Sequence, residues 1–515
     1  MDVGRRIHLF ERIWMVFLMQ VLCVSSSKLW EVPTAPLTPQ ANLSMRLLWK
    51  PQCLAQLRHL KNEEGITVTM PPKMEGHWVS SRCEVRPGPE FLTRFYTFYQ
   101  SPTRLFRALQ HYYSDSDCQI PAYSLVIRGK LLLRQASWIT HGATEAEHHL
   151  HKVGMVIHSQ KAVHNLATRL PFSCLGLKGG GHLVLHRFYE LFNAKAEKDC
   201  MGALGFSMME LELLRVETHH HPHSRPAQEL FLGDVHTDWN ERVQYRSIGY
   251  QEPLQNAMHH IHPCPVCALV YRASEQHPPI LPSYLSIPLD LNGHWVSQRC
   301  ETRPAILFLT RLFVFNEDQH TWEGTYQHYS DPRCLQPSFT LLASGHYARA
   351  GQSNKVHGAT ELVFKVMRAK VVVFDRALIQ EFNSLQNGSC GQVGMWEVGA
   401  EQDITWTDGC NVLGIRLPHK EYELFKIEKD HRGRPLLFIG QRATDGSSPD
   451  QPAKRPTSFQ TPMVQCNTGI GVVPRNSFYS DHSTGSKTSS ANTLYSSLIL
   501  LFISNIWCWN MFVLS

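Results

Sequence analysis

Two groups of residues in this chain have the types and spacing for chemistry. Cys264-Pro-Val-Cys267 has the separation of a redox dithiol or of half a zinc site. Histidines also cluster: His148, His149 and His151; His219, His220, His221 and His223; His259, His260 and His262. Such tracts can hold zinc or copper. The second half of the chain keeps no counterpart of these runs, and Pro222, Pro226 and Pro263 lie among them. Solvated loops are therefore expected, with no metal and no cofactor.

The cysteine pair changes meaning once the chain is laid against itself. Gly76-His77-Trp78-Val79-Ser80 and Arg82-Cys83-Glu84 return as Gly293-His294-Trp295-Val296-Ser297 and Arg299-Cys300-Glu301, a shift of 217. Leu92-Thr93-Arg94 returns as Leu309-Thr310-Arg311, and Gly142-Ala143-Thr144-Glu145 as Gly358-Ala359-Thr360-Glu361. Solenoid units run roughly 20–50 residues, so a period this long is a duplicated domain. Cys264 is then the last cysteine of one copy and Cys267 the first of the next.

Of 14 cysteines, Cys23 and Cys508 fall in the terminal segments. The others divide equally into Cys53, Cys83, Cys118, Cys174, Cys200 and Cys264, and Cys267, Cys300, Cys334, Cys390, Cys410 and Cys466. Even sets in an exported chain imply disulfides. Three within each copy are expected, with the pairing left open.

Export itself is read from the ends. Arg5, Arg6 and Arg12 precede an apolar run from Ile13 to Val24 and then Ser25-Ser26-Ser27, the layout of a signal peptide over 1–26. Two repeat domains follow, over 51–264 and 265–466, then a polar stalk over 467–493. Residues 494–515 carry no charge and suffice in length for a membrane span. Ser483-Thr484-Gly485 ahead of them would equally serve lipid-anchor attachment. A plasma-membrane ectodomain, single-pass or lipid-anchored, is expected, with sequons for glycosylation at Asn42 and Asn387.

Strands dominate the elements that must carry these residues. Phe91 to Tyr99 alternates between two faces that are both largely apolar, and Leu307 to Phe315 does the same. Tyr123–Arg128, Lys130–Leu133, Leu362–Val366, Tyr422–Ile427 and Leu437–Ile439 read as further strands. Gln160–Leu170 and Asp375–Leu385 read as one helix per copy, with Asp375 as an N-cap. The expected fold is mainly β: two tandem copies of a large antiparallel curled sheet, barrel or half-barrel. Arg94 and Arg311, flanked by apolar strand residues, are expected to pair with Glu84 and Glu301.

A net charge of +6 over 515 residues, with Lys and Arg scattered, leaves no nucleic-acid footprint. No Gly-x-Ser-x-Gly elbow, phosphate loop or His-Glu-x-x-His helix occurs. The Gly-Ala-Thr-Glu blocks supply one carboxylate per copy rather than a glycosidase pair. No catalytic residues are expected, and the chain is read as a non-enzyme.

The blocks EGHWVSSRCEVRPGPEFLTR and NGHWVSQRCETRPAILFLTR, with the spaced cysteines and both terminal signals, resemble the adenomatosis polyposis coli down-regulated proteins, the "-like" branch most. The resemblance runs from about Pro51 to Cys466. It implies a membrane-tethered inhibitor of Wnt signalling that binds Wnt ligands and their low-density-lipoprotein-receptor-related co-receptor. It also implies a hydrophobic pocket for the fatty acyl chain of Wnt, and Trp78, Phe95, Phe98, Trp295, Leu312 and Phe315 are its candidate lining. A homodimer is left open. The alternative is a lipid-binding or adhesion ectodomain without Wnt activity.

Overall fold

The computed structural model describes Cys53 and residues 65–466, apart from 101, 172–181, 197, 221–225, 261–263, 284–285, 305, 385–389, 393 and 431–432. The signal peptide, Asn42, Cys174, Asn387, the stalk and the segment 494–515 lie outside the described residues. Among the described residues no helix is long and apolar enough to cross a membrane.

Each copy closes eight antiparallel strands into a barrel. In the first these are β1 (Gly76–Val79), β2 (Glu90–Phe98), β3 (Leu105–Tyr113), β4 (Pro121–Ala136), β5 (Thr144–Ile157), β6 (Leu213–His219), β7 (Ala227–Leu232) and β8 (Leu254–Asn256). Pairing runs in sequence order, and β8 returns to β1. The second barrel repeats the order with β9 (Gly293–Ser297), β10 (Leu307–Asn316), β11 (Thr321–Tyr329), β12 (Pro337–Gln352), β13 (Thr360–Val373), β14 (His419–Lys429), β15 (Pro435–Ile439) and β16 (Met463–Gln465), the last pairing β9. Closure leaves no barrel edge to be paired by another chain. The mainly β, two-copy expectation holds.

Both expected helices form, α1 (Gln160–Arg169) capped by Ser159 and α3 (Arg376–Ser384). The Asp375 carboxylate accepts from Ala377 N at 2.8 Å, satisfying one of the donors that a helix start leaves free. Tyr123–Arg128 and Lys130–Leu133 prove to be parts of one strand, β4, with an irregularity between them at Arg128/Gly129. Gly129 lets the barrel wall fold inward there, since a Cβ would sit 2.6 Å from the His149 carbonyl and 2.7 Å from the Phe106 ring.

Strand parity sorts the side chains. In β2, Leu92, Tyr96 and Phe98 join the first barrel's core with Trp78 and Phe106. In β10, Phe313 and Phe315 join the second core with Trp295 and Trp322. Each core tryptophan is anchored by its indole N–H, Trp78 to the Met74 carbonyl at 2.7 Å and Trp295 to that of Leu291 at 2.8 Å. The repeated Ser-x-Arg-Cys-Glu segment forms the same polar cassette twice. Arg94 Nη2 meets Glu84 at 2.7 Å and Arg311 Nε meets Glu301 at 2.9 Å. Ser80 and Ser297 accept from the Arg94 and Arg311 backbone at 2.6 and 2.7 Å. Arg94 is wholly buried, a position an arginine holds only when paired.

The disulfides depart from the expectation of closure within each copy. Cys83–Cys118, Cys300–Cys334 and Cys390–Cys410 do lie within copies. Cys53, however, bonds Cys466, and Cys264 bonds Cys267. The reason is where the leader of each copy packs. Helix α2 (Pro265–Tyr271), which opens the second copy, lies on the first barrel, with Tyr271 against His77 and Phe95. Cys53, from the leader of the first copy, is buried with Val296, Leu312, Phe438 and Val464 of the second. First and last cysteines therefore pair crosswise. The Cys-x-x-Cys motif is the smaller of these two staples.

A protease site placed at the exposed Ile280 tests this connectivity. Cut protein should run as one species in a denaturing gel until it is reduced. With Cys466→Ser the two fragments should separate without reductant.

Candidate functional site

Two regions are candidates for holding a ligand: the aromatic core of the second barrel and a cleft between the barrels. The interiors differ in what fills them. The first barrel's core includes Leu204, Phe206, Met208 and Leu211 from the excursion between β5 and β6. That excursion also sends in Glu210, which accepts from Arg86 at 2.6 Å and from Tyr96. Gln110 donates to Glu210 at 3.1 Å, and Tyr112 to Gln110 at 2.9 Å. The first barrel is thus plugged by its own chain.

The second core cluster takes no described residue from the corresponding excursion, 374–418; those pack together separately. Instead its wall is aromatic. Trp322 stands edge-on to Phe313 and Phe364, with centroids 6.3 and 5.5 Å apart, and Tyr347 meets Phe315 and Phe364 at 5.8 and 5.6 Å. Such pairs gain about 0.5–1.5 kcal/mol beyond area burial. Two polar atoms inside this wall, Trp322 Nε1 and Tyr347 Oη, are buried without a hydrogen-bond partner among the described residues. A buried donor left without a partner costs about 1–3 kcal/mol. Burial pushes the Tyr347 hydroxyl up to about 12, which keeps it a donor.

Of the six residues singled out from sequence, Trp295 and Phe315 lie in this cluster, and Trp78 and Phe98 in the plugged barrel. Phe95 and Leu312 are on the outer faces, beneath α2 and beside Cys53. Side chains alternate along a strand, so residues three apart, such as Phe95 and Phe98, cannot share an interior. Phe313, Trp322, Tyr347, Phe364 and Phe425 were missed. Counting by twos from Phe315, and across its neighbours in the ladder, would have found them.

The second region is a cleft of about 1220 Å³ between the barrels, a setting where ligand sites are common. Its facing walls are the two copies of the Arg-Cys-Glu-x-Arg-Pro segment, Arg82–Pro87 and Arg299–Pro304. Contacts across it come in reciprocal pairs. Arg82 reaches Glu428 and lies 5.4 Å from the Phe438 ring. Arg299 reaches Glu217 at 3.3 Å and lies 4.5 Å from the Phe231 ring. Thr144 and Thr360 pair with Leu214 and Phe425, which makes Glu217 and Glu428 equivalent. Arg215 and Lys426 pair with Phe231 and Phe438, which makes those rings equivalent too. Thr237 and Thr444 exchange backbone N–H to Oγ1 bonds of 3.0 and 2.9 Å. His141 meets Arg333 as His357 meets Asp117.

Burial raises the Glu217 carboxyl, but Arg299, His219 and Arg215 outweigh it and hold the group at about 2. Burial likewise lowers His219, but Glu217 and Glu229 push it up to about 9. Glu217 and His219 are therefore both ionised in the neutral range. Its residues were invisible as a site in the sequence, although Gly233-Asp-Val-His-Thr237-Asp238 and Gly440-Gln-Arg-Ala-Thr444-Asp445 repeat the segment at its centre.

Arg82→Ala and Arg299→Ala should each lower unfolding stability by about 1 kcal/mol, losing a ring contact and one of the cations that face Glu428 and Glu217. Denaturant melts of both single variants should show closely similar losses, because the two sites are copies of each other.

A solved structure with slight resemblance is a mutant of the vaccine antigen transferrin binding protein B from Haemophilus parasuis Hp5, 6% identical with a TM-score of 0.15. The match covers 73% of this chain and 65% of that one, under two thirds of its length. The family model described as adenomatosis polyposis coli down-regulated 1 matches twice, over residues 52–282 and 284–471. One match falls on each barrel, the first also taking in Cys53 and α2, and between them they span most of the sequence. The chain belongs to the adenomatosis polyposis coli down-regulated 1 family.

Proposed function

We propose that the protein is a plasma-membrane glycoprotein that dampens Wnt signalling by holding the acyl chain of Wnt inside its second barrel. The observation that carries this reading is the aromatic interior with its two unpartnered donors, Trp322 Nε1 and Tyr347 Oη. An acyl chain supplies apolar surface for the rings and a carbonyl oxygen for the donors. Burying a methylene contributes about 0.8 kcal/mol, so a dozen or so contribute roughly 10 kcal/mol before ordering costs are subtracted. Family membership supports the pathway, and the plug that fills the first barrel favours the second as the lipid's place. Blocking the low-density-lipoprotein-receptor-related co-receptor would add to sequestration through the outer surface.

Full-length protein should capture acylated Wnt and lose most of that affinity when the ligand is delipidated. Trp322→Phe and Tyr347→Phe keep the rings and remove the donors, and together should weaken capture about tenfold, as for two modest hydrogen bonds. A Wnt reporter should show dampening reduced in parallel. Equal capture of delipidated ligand would overturn the acyl reading, and failure to dampen the reporter would leave a lipid-binding or adhesion ectodomain.

A further inference from the structure

We infer that Glu217, His219 and Glu229, on the cleft-facing wall of the first barrel, form a binding site for a divalent transition-metal ion, zinc by chemistry. The three ligand atoms lie within 4.8 Å of one another. Glu217 and Glu229 face each other directly across β6 and β7. Like charges in that position destabilise a sheet, so the pair favours a cation beside it, a role that His219 and Arg215 fill here and that a metal ion could take over. His219 lies two residues beyond Glu217 and so on the same face, its Nε2 3.0 Å from Glu229 Oε2 and 3.4 Å from Glu217 Oε2. Tetrahedral zinc with bonds of about 2.0–2.1 Å keeps its ligand atoms about 3.3 Å apart, so an ion enters with little movement of these atoms.

The atoms that would not bind metal are held from behind. Glu217 Oε1 accepts from Arg215 Nε at 2.7 Å and from Arg299 at 3.3 Å. Glu229 Oε1 accepts from Gln255 Nε2 at 2.6 Å. Such outer partners orient metal ligands in built sites. A second observation points inward: Glu217 Oε2, on a residue only 2% exposed, makes no hydrogen bond among the described residues and has only the His219 ring nitrogen near it, at 3.4 Å. One imidazole among two carboxylates favours zinc over calcium or magnesium, which select all-oxygen shells. Three protein ligands also leave a fourth position, as in zinc sites that bind water or substrate, and Glu217 and Glu229 both line the cleft. The second barrel lacks the set: Glu428 faces Leu436, and Asp430 is engaged by Arg434 at 2.7 Å.

Full-length protein loaded with zinc chloride and passed through metal-free buffer should retain one zinc per chain by elemental analysis. His219→Ala should abolish retention, and Glu229→Gln should weaken zinc affinity at least ~10-fold. His259→Ala, outside the site, should leave both unchanged. Cobalt(II) provides a readout that needs no variant: visible d–d bands of a low-coordinate site should appear on the wild type. Absence of retained zinc and of cobalt bands, retention indifferent to His219 and Glu229, or equal uptake of calcium would each overturn the assignment and leave an ion triad.

Discussion

The structure depends on one interaction made twice: an arginine from each barrel crosses the cleft, lies on a phenylalanine and meets a glutamate of the other. Arg82 with Phe438 and Glu428, and Arg299 with Phe231 and Glu217, are related as partners in a twofold dimer. Self-complementary interfaces of this kind ordinarily join separate subunits. Here they join halves of one polypeptide. The threonine exchange between Thr237 and Thr444 lies where an axis would pass, and Cys53 and α2 each pack against the other copy's barrel.

That arrangement explains why the same Arg-Cys-Glu blocks recur so faithfully while much else diverges. Glu84 and Glu301 are held by buried arginines inside each copy, and the neighbouring Arg82 and Arg299 reach out to the other copy. One short segment thus serves an interior pair and an exterior clasp. Changing it in one copy alone would strand charges in both places, and removing one partner of a buried pair is costly. Residues away from the axis are under no such constraint. There the copies differ, as in the plug that fills the first interior and has no counterpart among the described residues of the second cluster.

Much of the fold was legible in the chain: the duplication, the strands, Asp375 as a cap, and the Arg94–Glu84 and Arg311–Glu301 pairs. These follow from local periodicity and from the electrostatics of a charge among apolar neighbours. The disulfide pairing was not legible, because equal counts per copy fit closure within or across copies alike. Which one forms is decided by where Cys53 and α2 pack, a tertiary fact. The interior was half legible. Trp295 and Phe315 were found, but Leu312 was taken from the wrong face of its strand. The orphaned Trp322 and Tyr347 donors could not be read at all, since an unmade bond leaves no trace in sequence.

The bond between Cys53 and Cys466 has a mechanical consequence. It closes the described fold into a covalent loop, so that both ends emerge from one point on the second barrel. A tug applied beyond Cys466 passes straight into the opposite terminus and cannot peel β16 from its neighbours. Traction applied between the two ends therefore bypasses the strands of both barrels.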